Sequence, residues 1–185
     1  MSQIEKVNAA WVRIEKWYAT NLPDFKFPAG AAPADIIALE THMGLTFPEE
    51  LKASLTRHDG VEPWTKWQLL SIEGIKLIWD RWTDLIDKGL FDNNHENIYG
   101  PNDFIQKCWW NKSWIPIDAD SSGNSFMIDL SPGPKGIIGQ ILYHSHEIGP
   151  QGPKNPDYAA YLEEAADGLE AGDFIAEYGG VTRKY

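Results

Sequence analysis

The hydrophobic period changes partway along this chain, and that change restricts the fold more than any other feature. Over residues 2–20, 33–43, 48–58 and 71–88 the chain reads as helices, the first and last by apolar side chains at helical spacing, whereas in the segments between 115 and 130 apolar side chains alternate. A chain of this kind must join helices to strands that follow one another in sequence. The predicted order is helices, one short strand, a helix, three strands and a last helix. That is an α+β pattern with a mainly antiparallel sheet of about four or more strands, flanked by helices. The 185 residues fit a single domain: a helical N-terminal stretch over 1–60, a sheet-containing stretch over 61–150 and a C-terminal helix over 155–172.

Local signals place the elements. Ser2 and Glu5 have the spacing of a capping box, and Ile4, Val7, Trp11, Ile14 and Trp17 or Tyr18 form one stripe of a helix over 2–20. Pro33 suits the first turn of a helix over 33–43 that Gly44 stops, and Pro48 opens a third helix ending near Asp59-Gly60. This pair does not read as DNA-binding, because Asp35, Glu40, Glu49 and Glu50 would repel phosphate. WQLLSI (67–72) reads as a short strand, and Ser71 caps a helix ending at Lys88-Gly89. Residues 89–107 read as a long loop. Ile115 and Ile117, then Phe126, Ile128 and Leu130, alternate on the two arms of a hairpin that turns at SSGN (121–124). IIGQILYHSH (137–146) is a third strand and EIGPQGPKNP (147–156) a Pro/Gly-rich loop, after which Asn155 and Pro156 act as N-cap and N1 of the last helix.

Charge excludes whole classes of function. With 27 acidic against 16 basic residues the net charge is −11, and the longest basic run is Arg183-Lys184. Phosphate backbones and anionic membrane surfaces both require a basic patch, so neither nucleic acid nor membrane is an expected partner. No apolar stretch reaches the length of a membrane span and the N-terminus lacks an apolar signal core, which makes cytoplasm the expected compartment. A lone cysteine, Cys108, cannot close an internal disulfide.

Chemical motifs are few. Asp118, Asp120, Ser122, Gly123, Asn124 and Asp129 fall at positions 1, 3, 5, 6, 7 and 12 of an EF-hand-type calcium loop. The flanks are strand-like, however, and position 12 is Asp rather than Glu, so hairpin-turn chemistry accounts for the same residues. His144 and His146 share a strand face and could begin a zinc site with Glu147 or His95, yet no ligand set of the right spacing completes it. In SPGPKG (131–136) the prolines remove the N–H donors that a phosphate cradle needs. No catalytic constellation emerges, and no cofactor or metal is expected.

Nine tryptophans divide into two groups. Trp11, Trp17, Trp79 and Trp82 lie on helical stripes and read as packing. Trp64, Trp67, Trp109, Trp110 and Trp114 lie at loop–strand junctions, where core edge and binding surface are equally good readings.

A set of runs, in order along nearly the whole chain, resembles the SUKH superfamily. They include WVRIEKW (11–17), ADIIALE (34–40), MGLTFPEELKASL (43–55), HDG (58–60), WQLLSI (67–72), WWNKSWIPI (109–117), GNSFMIDLSP (123–132), GIIGQI (136–141) and YLEEAADGLEAG (161–172). The nearest subgroup resembles that of the fungal cell-wall assembly regulator and its bacterial relatives. The resemblance implies an α+β domain that binds proteins rather than catalysing. It implies first an immunity protein that neutralises a cognate bacterial toxin, often a nuclease, and alternatively a regulatory scaffold related to the cell-wall regulator. A metal-dependent enzyme or sensor using 118–129 or the histidine pair is the third reading. The short flanks count against the scaffold, which would be expected to carry long disordered ones. Where members of the subgroup carry an Arg and a Ser-Phe run before the last helix, this chain has PQGPKNPDY (150–158). An acidic protein gains on-rate toward a basic partner, so carboxylates beside aromatic anchors are the candidate contacts: Asp59, Trp64 and Trp67 near the first strand, and Trp114, Asp118 and Asp120 near the hairpin.

Overall fold

A computed structural model of the chain describes residues 1–65, 67–91 and 103–184. Helix α1 (Gln3–Asn21) begins at the expected capping box: the Ser2 hydroxyl accepts from the Glu5 N–H at 3.2 Å, and the Ser2 N–H donates to Glu5 Oε2 at 2.7 Å. It buries Val7, Ala10, Trp11, Ile14 and Tyr18. Helix α2 (Pro33–Met43) has Pro33 in its first turn and ends at Gly44, whose left-handed φ of 68° suits glycine. Helix α3 (Glu49–Arg57) lies against α1 through one buried hydroxyl. Trp11 Nε1 donates to Ser54 Oγ at 3.0 Å, and that oxygen lies 2.9 Å from the hydroxyl of Tyr158.

A short strand β1 (Gln68–Leu69) precedes helix α4 (Ile72–Asp87), which Ser71 caps by accepting from the Gly74 N–H. Strands β2 (Trp114–Pro116), β3 (Asp118–Ala119), β4 (Ser125–Asp129), β5 (Gln140–Ser145) and β6 (Gly149–Asn155) follow. The main sheet has the order β2-β4-β5-β6, antiparallel throughout, while β1 pairs with β3. Helix α5 (Tyr158–Ala171) and a hairpin of β7 (Phe174–Glu177) and β8 (Gly180–Arg183) complete the chain. The α+β architecture, with its antiparallel sheet of four strands, matches the expectation.

Four details differ from the sequence reading. The alternating residues do share a face, but every residue of β2 and β4 is buried, because the sheet is covered on both sides. Phe126 and Tyr143 face α5, where Phe126 meets Tyr161 at 5.8 Å, while His144 faces α4 and meets Trp82 at 4.6 Å. The stretch read as a Pro/Gly loop is the edge strand β6. Its Pro150 and Pro153 cannot donate to a ladder, and an edge position is where a sheet tolerates them. The N-cap of α5 is Asp157, not Asn155: its carboxylate accepts from the Ala160 N–H at 2.8 Å. The β7–β8 hairpin had no counterpart in the sequence reading. Its turn places Tyr178 and Gly179 at φ 51° and 75°. Of the predicted loop 89–107, residues 92–102 lie outside the described residues.

The Ser54 hydroxyl ties α1, α3 and α5 together inside the core. Ser54→Ala leaves the Trp11 indole N–H buried without its acceptor, which should lower unfolding free energy by about 1–3 kcal/mol. Urea titration measures it, and an unchanged midpoint and slope would show that the bridge contributes nothing.

Candidate functional site

The structure separates the six candidate contact residues. Trp64, Trp114 and Asp118 are buried, at 2%, 0% and 0% exposure, and cannot meet a partner in this fold. Each is held by internal bonds instead. Trp64 Nε1 donates to the Tyr161 hydroxyl at 3.3 Å, and Trp114 Nε1 donates to Asp129 Oδ1 at 3.0 Å. Asp118 accepts from the Phe126 N–H at 2.7 Å and from the Tyr161 hydroxyl at 2.5 Å. Asp59 is half-buried and accepts from the Ile72 N–H at 2.8 Å, a second cap on α4. Asp120, also half-buried, holds the hairpin turn: Oδ1 accepts from the Ser122 and Asn124 N–H groups and Oδ2 from the Asn124 amide. Only Trp67 presents an aromatic face to solvent, so the six do not form one face.

The calcium-like stretch is accounted for by these same bonds. Asp129, its twelfth position, accepts from Trp114, from the Ser131 N–H and from the Gln140 amide, all at 3.0 Å, while burial raises its pKa. The side chains of Asp118, Asp120 and Asp129 therefore serve backbone and core rather than one common point, in agreement with the turn reading. The histidines diverge as well. His144 is buried with Nε2 2.9 Å from the Trp109 carbonyl oxygen, whereas exposed His146 lies past the end of β5 and bonds Asn124 Oδ1. His95 lies outside the described residues. Among the described residues no group of three His, Cys, Asp or Glu could hold a metal. Burial, then the nearby Asp129 charge, pushes the Cys108 thiol up to about 11, which keeps it protonated and a poor nucleophile.

What the described surface does offer is a groove of about 1000 Å³ between the sheet, α5 and the β7–β8 hairpin. Trp67, Phe126 and Tyr143 form its floor, with ring centroids 5.4 to 5.9 Å apart. Ala165 and Gly168 of α5 line one side, and Phe174 and Val181 of the hairpin line the other. Gly168 lets Phe174 come close to α5 at this wall: a Cβ there would lie 2.8 Å from the Phe174 ring and displace it. Charged groups at the rim include Lys154, Asp167, Asp173 and Arg183; Asp167 is paired with Arg13. Of the candidate residues, Trp67 alone lies in this groove. Tyr143 was hidden in the sequence by its neighbour His144, although alternation along β5 puts the two on opposite faces. The hairpin wall had a signal too, the alternating FIAE and GVTR segments around Tyr178-Gly179.

Comparison with known proteins gives a concordant result. A family model described as the SMI1/KNR4 family (SUKH-1) matches residues 30–168. The glucan synthesis regulatory protein of Neurospora crassa is 24% identical over 92% of this chain and 40% of its own length. The cell wall biosynthesis/cell cycle regulator smi1 of Schizosaccharomyces pombe is 26% identical over 92% of this chain and 38% of its own. The cell wall assembly regulator SMI1 of Saccharomyces cerevisiae is 23% identical over 89% and 41%. The chain thus spans 38–41% of the length of these relatives.

Two measurements test the site chemistry. Calcium should leave the melting temperature unchanged, because the carboxylates of 118–129 are already engaged, while Asp118→Ala should cost roughly 2–4 kcal/mol through the donors it strands; a calcium-dependent rise would contradict this. His144 lies in a cage of Trp82, Trp109, Trp110 and Trp114, and burial lowers its pKa from 6.5 to about 4. The unfolded chain therefore takes up this proton first. The resulting stability, about 3 kcal/mol, is present above pH 6.5 and is lost as pH falls through about 4. His144→Gln should flatten the stability profile across that window, and parallel profiles for variant and wild type would refute the assignment.

Proposed function

The chain belongs to the SMI1/KNR4 family (SUKH-1), and from that premise we propose that it is a regulatory protein-binding module that acts without catalysing a reaction. The observation that carries this reading is the alignment of fungal proteins named as regulators of cell-wall assembly and glucan synthesis across 89–92% of the chain. These names favour the regulatory scaffold over toxin neutralisation, the first of the two roles that the family resemblance suggested. By the same likeness, the process in which the module takes part is assembly of the cell envelope.

The geometry agrees with a binding role. A groove floored by the half-exposed rings of Trp67 and Tyr143 offers the apolar anchor sites that protein contacts favour. The chemistry present offers little to a reaction: the buried carboxylates are occupied by internal donors and the single thiol is held protonated. Among the described residues no helix is long and apolar enough to cross a membrane, and we place the module in the cytoplasm, where its partner would be another protein.

Affinity capture with the full chain as bait, joined to deletion of its gene, tests this. The expected result is a stoichiometric protein partner together with altered sensitivity of the cells to a wall-digesting enzyme. Capture of no partner and unaltered sensitivity would overturn the proposal. Capture of a toxin, with protection of the cells from it, would replace the regulatory reading with neutralisation.

A further inference from the structure

We propose that the aromatic groove takes an extended basic segment of the partner protein, with an arginine side chain laid on Trp67 and Tyr143. This deepens the binding-module reading and rests on it. Trp67 and Tyr143 are half-exposed, with ring centroids 5.9 Å apart and planes at 36°, and Phe126 backs both of them. The indole N–H groups of Trp11, Trp64, Trp79, Trp110 and Trp114 all donate within the protein. That of Trp67, like those of Trp17, Trp82 and Trp109, makes no hydrogen bond among the described residues, and of these four only Trp67 lines the groove. Guanidinium groups stack on such ring faces by cation–π attraction.

Charge selects the sign of the ligand. Behind burial, the charges of Asp120, Asp118 and Glu147 raise the Tyr143 phenol, so the Tyr143 end of the groove is its negative end. The whole chain adds to it with a net charge of −11. Lys154 and Arg183 stand on the strand walls, so an incoming arginine belongs at the Tyr143 end, beside Asp120 and Glu147.

Backbone geometry selects an extended ligand. Among the described residues, strand β6 is outermost in its sheet and β8 pairs only with β7, and residues of both line the groove. Two strands that each have an unpaired side therefore border the same space. Pro150 and Pro153 remove donors from β6, so the β8 edge is the side that can supply N–H groups to an added strand.

Titration calorimetry of the full chain with an arginine–serine repeat peptide, and with the same peptide carrying glutamate for arginine, tests the inference. Only the arginine peptide should bind. Trp67→Ala should weaken it about tenfold, and Trp67→Phe should restore most of the loss. Glu147→Gln, at an exposed position, should weaken it about twofold. If Trp67→Ala melts early, Tyr143→Ser reports on the same face. Equal or tighter binding of the glutamate peptide, absence of binding by the arginine peptide, or wild-type affinity in the folded Trp67 or Tyr143 variant would overturn the inference. In any of those cases a partner captured by affinity purification leaves the binding-module reading standing with a ligand of different chemistry.

Discussion

One buried carboxylate organises the side of the molecule that carries the groove. Asp118 is fully enclosed, and a charge in that position is tolerable only where strong donors surround it. The Phe126 N–H and the Tyr161 hydroxyl supply two of them, and Tyr161 in turn accepts from Trp64. This chain of bonds fastens the segment before β1, the β3–β4 hairpin and α5 at a single point. Phe126, the back of the aromatic floor, is held through its own backbone N–H. The half-exposed rings of Trp67 and Tyr143 therefore rest on a polar network that has few alternative arrangements, since each donor moved away from the carboxylate is a buried hydrogen bond lost.

Burial of the sheet on both faces explains why so little of an aromatic-rich chain is left for partners. Below the sheet, Trp82, Trp109, Trp110 and Trp114 close around His144, whose Nε2 is directed to the Trp109 carbonyl. Above it, Tyr158 and Tyr161 stack at 6.0 Å against the α1–α3 layer. Eight of the nine tryptophans are taken up in this packing or lie along the face of a helix. Trp67 is the exception because it sits where the cover ends, between the β1 edge and the hairpin at the C-terminus.

The features of the fold legible in the sequence are those fixed by local chemistry. Ser2 with Glu5, and Ser71, mark helix starts by bonds within three residues, whereas Pro33 and Gly44 mark the two ends of α2 by their own backbone angles, and the structure shows each in place. The alternation of Ile115 with Ile117, and of Phe126 with Ile128 and Leu130, is likewise local, and the pairing of β2 with β4 follows it. What was not legible depends on distant partners. Pro150 and Pro153 read as a loop until β5 supplies an edge to pair with. Trp64, Trp114 and Asp118 looked like contact residues because an indole and a carboxylate have the same composition inside and outside. Only Tyr161 and Asp129, each at least fifteen residues away in sequence, decide that these three face inward.

The groove also joins two stretches of chain with different standing in the family. Its floor and the α5 side, from Trp67 to Gly168, fall within the matched segment 30–168, whereas the wall made by Phe174, Val181 and Arg183 lies beyond it. The floor fixes which class of side chain can be stacked, through ring faces and its negative end at Tyr143. The wall fixes how the bound backbone runs, because β8 has an unpaired side among the described residues and Gly168 permits Phe174 to approach α5 closely enough to close the groove. A change confined to residues 174–183 should therefore alter which partner segment fits without altering the preference for a cationic anchor.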